Sequence, residues 1–117
     1  MSFAISDPVS AVLHSALDGL STRQQVIADN IANVDTPGYR ATSVDFESAL
    51  LAAIDGGDPG AATPIRTATD TPVGANGNNV DLRKETLGAV QSQFQYQILT
   101  RAAGDHLDLV RTVAAGQ

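Results

Sequence analysis

A large apolar residue returns at every seventh position in the first third of the chain: Leu13, Leu20, Ile27 and Val34. Seven residues make two helical turns, so these four side chains form one stripe along a helix that another element must cover. Ala16, Leu17 and Ile31 fill much of the adjoining row, while Arg23, Gln24 and Asn30 interrupt it. Asp7 or Ser6 is suited to cap this helix, and Pro8 to occupy its first position. The pattern stops near residues 33–35. Thr36-Pro37-Gly38-Tyr39 follows, a type II turn by its chemistry: proline pre-sets φ at the first central position and glycine supplies positive φ at the second.

A second helix is predicted from residue 80 or 81 to about 114, capped by Asn79 or Asp81. Leu87, Val90, Phe94, Ile98, Ala102, Leu109 and Val113 share one face, which Leu99, Ala103, Leu107 and Val110 broaden. So broad a face packs against more than one helix. Gly104 interrupts it at a cost of up to about 1 kcal/mol relative to alanine, and could permit a bend or a close helix approach. The expected pairing sets Leu13, Leu20, Ile27 and Val34 against Leu87, Val90, Phe94 and Ile98.

Between the helices the character changes. In residues 36–54, Val44 and Phe46 alternate with polar residues, an extended signal, and residues 46–54 read as a short helix. Residues 55–79 are dominated by Gly, Pro, Thr, Asn, Ala and Asp, with Ile65 and Val73 the only large apolar side chains. Such a segment offsets little of the ~1–2 kcal/mol per residue that backbone ordering costs, and is expected to be a flexible loop. The predicted fold is therefore a single, mainly α domain over residues 1–117. Its N-terminal helix (1–35) and C-terminal helix (80–117) pair as an antiparallel coiled coil around an irregular middle.

Composition narrows the function. The net charge is −6, against the basic face that nucleic-acid binding requires. There is no cysteine, so disulfides, thiolate metal sites and a cysteine nucleophile are excluded. No run approaches the roughly eighteen apolar residues of a membrane helix. The N-terminus lacks the basic-then-apolar layout of a Sec signal. Aromatics make up only 4 % and tryptophan is absent, so the apolar core is thin and stability is expected to draw on neighbours.

No catalytic constellation emerges. His14 and His106 lie far apart in sequence, and Asp105 and Asp108 do not share a helix face with His106. His106 reads as a surface histidine. Asp55, Asp58 and Asp70 do not follow a calcium-loop pattern, and the Gly74–Gly77 stretch is no phosphate-binding fingerprint. Neither an enzyme, a metal site nor a cofactor is expected. The carboxamides stand out instead: Gln24, Gln25, Asn30 and Asn33 on or near the first helix, and Gln91, Gln93, Gln95 and Gln97 on the second. They suit an interface polar enough for a subunit to stay soluble before it assembles.

Ala28-Asp29-Asn30-Ile31-Ala32-Asn33-Val34-Asp35-Thr36-Pro37-Gly38-Tyr39-Arg40 resembles the N-terminal signature of flagellar axial proteins: an N-I-A-N core, a threonine, then glycine, an aromatic and a basic residue. Val44-Asp45-Phe46 and the run from Gly77 to Glu85 resemble the short rod members of that family in particular. Thr86 departs from the methionine common at its place. The resemblance implies a structural subunit of the proximal rod of the flagellar basal body, one that transmits torque and lines the export channel. Implied neighbours are copies of itself, FliE, FlgC, FlgF and the membrane-ring protein FliF. Implied export is through the flagellar type III apparatus into the cell-envelope space, without membrane insertion. Under that reading Asn30 and Asn33 cap the first helix and bond backbone groups at the Pro37-Gly38 turn, while the rest of the second helix, Leu107 and Val110 included, meets adjacent subunits. The alternative is a helical secretion adaptor or chaperone-like module.

Overall fold

In the computed structural model, which describes residues 7–116, each helix begins where its cap permits. Helix α1 spans Pro8–Ala32. The Asp7 side chain accepts a hydrogen bond from Val9 N at 3.1 Å, satisfying one of the free N–H groups of the first turn. The other candidate cap, Ser6, lies outside the described residues. Asn33 closes α1 with its N–H on Asp29 O and its side-chain Nδ2 on the same carbonyl at 2.8 Å. The type II turn follows as expected: Gly38 has φ +77° and Tyr39 N reaches Thr36 O at 3.2 Å.

Strand β1 (Thr42–Val44) leads into α2 (Phe46–Asp55). Asp45 caps α2 by accepting bonds from Ser48 N and Ser48 Oγ. Ser48 thereby holds the Asp45 carboxyl below its ordinary value. A Schellman motif ends the helix: Asp58 N bonds Ala53 O, Gly57 N bonds Ile54 O, and Gly57 takes φ +84°. A 3₁₀ turn over Pro59–Ala61 comes next. Strand β2 (Arg66–Ala68) then pairs antiparallel with β1 in the register Thr42↔Ala68, Ser43↔Thr67 and Val44↔Arg66. Helix α3 covers Leu82–Ala115, its N-cap Asp81 accepting from Lys84 N.

The middle thus carries more structure than its composition suggests. Ile65 and Val73 remain largely exposed, as their isolation implies. The segment is shaped by hydrogen bonds instead, through the β ribbon and two buried asparagines, Asn78 and Asn79.

Helices α1 and α3 run antiparallel, since Asn30 near the end of α1 meets Glu85 near the start of α3, while Asp7 meets His106. The molecule extends 66 × 27 × 18 Å with a radius of gyration of 17.8 Å, against about 13 Å for a globular chain of this length. An elongated shape leaves little interior. The core is Ala16, Leu20, Val26, Val44 and Phe46, with Leu50 and Leu99 packed against it. It sits where α1, β1 and α2 meet. Gly19 makes that junction possible: a Cβ there would lie 2.4 Å from Phe46 Cγ, so only glycine lets the ring rest on the helix backbone.

Candidate functional site

The signature residues converge on one buried carboxamide. Asn30 is fully buried in the seam between α1 and α3. A carboxamide has two N–H donors and an oxygen with two lone pairs, and here all four are used. Nδ2 donates to Thr42 O and to Glu85 Oε1, each at 2.8 Å. Oδ1 accepts from Tyr39 Oη at 3.1 Å and from Thr42 N at 3.3 Å. One side chain therefore ties α1 to β1, to the turn and to the start of α3. Aspartate has the same shape but cannot donate, and leucine can do neither.

A second clasp lies beside it. Asn78 Nδ2 donates to both Asn33 O and Thr36 O at 2.8 Å, and its Oδ1 accepts from Val80 N. Asn79 Oδ1 accepts from Ala41 N at 2.6 Å, and Asn79 N bonds Tyr39 O. Gly38 N reaches Asn76 O and Arg40 Nε reaches Gly77 O, both at 2.9 Å. Gly77 has φ +81°, and a Cβ on it would stand 3.2 Å from Gly38 Cα. The two turns thus lie backbone against backbone, and the segment leading out of α1 is locked to the one leading into α3.

Arg23 fastens α1 to the β1–α2 corner. It donates to Val44 O through Nε and Nη2, grips the Glu47 carboxylate with both terminal nitrogens, and lies over the Phe46 ring at 4.6 Å from the centroid. The Arg23 hydrogen bonds hold the Glu47 carboxyl below its ordinary value of 4.5. An open groove of about 680 Å³ runs between Arg23 and Glu47 on one side and α3 on the other, with Phe94 on its wall. Both of its carboxyl groups are engaged, Glu47 by Arg23 and Glu85 by Asn30. Among the described residues, no group of three or more His, Cys, Asp or Glu is placed to hold a metal ion, and no helix is long and apolar enough to cross a membrane.

The sequence-derived residues fall into two sets. In the signature, Asn30, Asn33, Thr36, Gly38, Tyr39 and Arg40 take part in the clasps. The division of labour differs from expectation: Asn33 caps α1 and Thr36 Oγ1 bonds its Oδ1, whereas Asn30 reaches β1 and α3 rather than the Pro37-Gly38 backbone. Ile31 is half-buried, and Ala32, Asp35 and Pro37 are exposed. On α1, Leu20 is fully buried, and Leu13, Ile27 and Val34 are half-buried.

The partners expected on α3 are not the ones found. Leu87, Val90, Phe94 and Ile98 are 59 %, 50 %, 63 % and 66 % exposed. The face of α3 turned to α1 is instead Glu85, Gly88, Ser92, Leu99 and His106. Gly88 admits Ile27 Cδ1 to 3.4 Å of where its Cβ would be, and Ser92 is 1 % exposed. Small and polar residues let the two helices approach closely. The large apolar row is displaced to the outside. Leu107 is exposed and Val110 half-buried on the stretch of α3 past His106. Gly104 faces open space, so the close approach expected of it occurs at Gly88.

Comparison with known proteins fits this geometry. Residues 11–40, which hold all but the first three residues of α1 and the signature turn, match the family described as "Flagella basal body rod protein". The chain is 37 % identical to the flagellar basal body rod protein FlgB of Bacillus subtilis (strain 168), over 89 % of this chain and 91 % of that protein. It is 30 % identical to FlgB of Borreliella burgdorferi, over 86 % and 90 %, and 30 % identical to FlgB of Escherichia coli (strain K12), over 86 % and 89 %. The chain belongs to the FlgB family of flagellar basal body rod proteins. It is a structural protein of the rod, not an enzyme, and the rod is where it resides. Membership also implies assembly with other rod and basal-body proteins.

Several residues that build the site are not marked for it by the sequence pattern, although Leu99 does lie on the broadened apolar face of α3. Glu85, Ser92, Leu99 and His106 fall seven apart, a heptad hidden because only one member is a large apolar residue. Gly19 and Arg23 act on Phe46 through tertiary contacts that periodicity does not reveal. His106 is not the surface histidine expected: it is largely buried against Asp7.

Proposed function

We propose that this chain polymerises in the membrane-proximal part of the rod. Its neighbours there are further copies of itself, FliE, FlgC, FlgF and the membrane-ring protein FliF. In that position it transmits torque and lines the export channel. It reaches the cell-envelope space through the flagellar type III apparatus, without a cleavable Sec signal.

The observation that carries this reading is the exposed row Leu87, Val90, Phe94 and Ile98 on α3. A folded subunit that satisfies its own seam with Glu85, Gly88 and Ser92 leaves this row for another chain. Contiguous exposed apolar surface of that kind marks an interaction face. The buried asparagines then have an indirect role: Asn30 of the signature, with Asn78 and Asn79 at the approach to α3, fixes the angle and register of α3 on α1, and so decides where the row points. Leu107 and Val110 extend the same helix toward the next subunit.

The test is electron cryotomography of basal bodies in a strain deleted for this gene. Membrane rings and export gate without a rod support the proposal. A complete rod and filament would reject it.

A further inference from the structure

The end of the α1–α3 pair remote from the clasps is held differently. His106 Nε2 on α3 hydrogen-bonds Asp7 Oδ2 at the N-cap of α1, across 99 residues of sequence. Both side chains are mostly buried, at 21 % and 18 % exposure. The other oxygen of the same carboxylate, Oδ1, accepts from Val9 N. Asp7 thus caps α1 and fastens it to α3 at once. Among the described residues, other support for this stretch is partial: residues 10–13 and 15 are half-buried. Before Ala16 no described residue of α1 is buried, and Ser15 donates to Pro59 O.

The surrounding charges point elsewhere. Asp105 and Asp108 flank His106 on its own helix but do not share its face. Asp105 is exposed, and Asp108 lies 3.9 Å from Arg111 with both side chains exposed. On α1, His14 sits 3.5 Å from Asp18, again in solvent. Among the described residues, the charge that acts on the Asp7 carboxyl is that of His106.

We propose that the His106–Asp7 pair is a pH-responsive latch that docks the first two turns of α1 on α3, closed while the imidazole carries its proton and loosened when it is lost. Histidine is the side chain whose charge changes near neutral pH. An imidazolium gives Asp7 a charge-assisted bond. A neutral ring gives a weaker one, or none if its proton sits on Nδ1. The stabilisation is therefore present on the acid side and lost as pH rises through the histidine's titration. Asp7 sets the lower limit. The His106 hydrogen bond holds its carboxyl below the ordinary 3.8, so that contribution is present above this value and is lost as pH falls beneath it.

Amide hydrogen exchange on the full chain tests the latch. Protection factors, corrected for intrinsic exchange, are compared between residues 11–16 and the clasped region 24–30, which serves as internal reference. From about pH 5.5 to about pH 8, the range in which histidine titrates, the ratio is expected to fall in the wild type. A fall of about threefold or more is the size a partly exposed ion pair supports. Asp7→Asn keeps an efficient N-cap but removes the charge, and His106→Gln removes the titrating group. Both should show a flat ratio while the reference region stays protected. A flat wild-type ratio, a slope retained in Asp7→Asn, or residues 11–16 unprotected throughout the range would overturn the latch.

Discussion

Replacing Asn30 with leucine keeps the branched heavy-atom outline of the side chain, though two methyl groups are bulkier than the amide, and removes four hydrogen bonds at once. Glu85, only 6 % exposed, loses the Asn30 amide, and a buried group stripped of its partner costs about 1–3 kcal/mol, more if it is charged. Thr42 N and Thr42 O lose their contacts at a part-buried site, adding about 1 kcal/mol. Tyr39 Oη can turn to water and adds little. The sum is about 2–4 kcal/mol. A domain of this length is stable by about 6–17 kcal/mol at typical per-residue values, so the loss should be large. Urea unfolding followed by circular dichroism measures it as a lower midpoint at unchanged slope. Adding Glu85→Leu gives the control: removing both partners should cost less than the two single losses combined, by about 1–3 kcal/mol. A midpoint shift worth less than about 1 kcal/mol for Asn30→Leu, or strict additivity with Glu85→Leu, would refute the hub.

Other expectations test separate parts of the architecture. Gly19→Ala drives a methyl group into Phe46 and should destabilise by about 1–3 kcal/mol, as overpacking does, in the same urea assay. Glu47→Gln should reduce the stability lost on acidification. The Glu47 carboxyl is held below 4.5 by Arg23, so its contribution is present above that value and disappears as pH falls beneath it; an unchanged acid profile counts against the pairing. Asn78→Ala should lower stability by about 1–3 kcal/mol through the carbonyls of Asn33 and Thr36, measured by thermal unfolding. Phe94→Asp should leave free-subunit stability within about 0.5 kcal/mol, as exposed positions do, yet abolish swimming on soft agar.

Local chemistry made the ends of the elements readable in the sequence. Asp7-Pro8 opens α1, Asp81 opens α3 and Pro37-Gly38 makes the turn, because caps and positive φ are set by residues a few positions apart. The face that α3 turns to α1 was not readable. The heptad reading assigned the seam to the largest apolar side chains, but close helix approach selects Gly88 and Ser92, and a buried Asn30–Glu85 bond fixes the register. Strand β2 was hidden for a related reason. Arg66, Thr67 and Ala68 are all exposed, so nothing in their hydropathy alternates, and only the pairing with β1 defines them. The Asn30 signature was legible as a family mark, whereas its fourfold bonding required Thr42, Tyr39 and Glu85 to be brought together by the fold.

The central claim is that the subunit closes its own seam with small and polar residues and leaves the Leu87–Ile98 row for neighbours. The chain has no cysteine, so a single Ile98→Cys reports on that row directly through its maleimide labelling rate. The expected result is rapid labelling in the free subunit and strong protection in purified basal bodies that contain the rod. Equally rapid labelling in both states would contradict the account, as would protection already present in the free subunit.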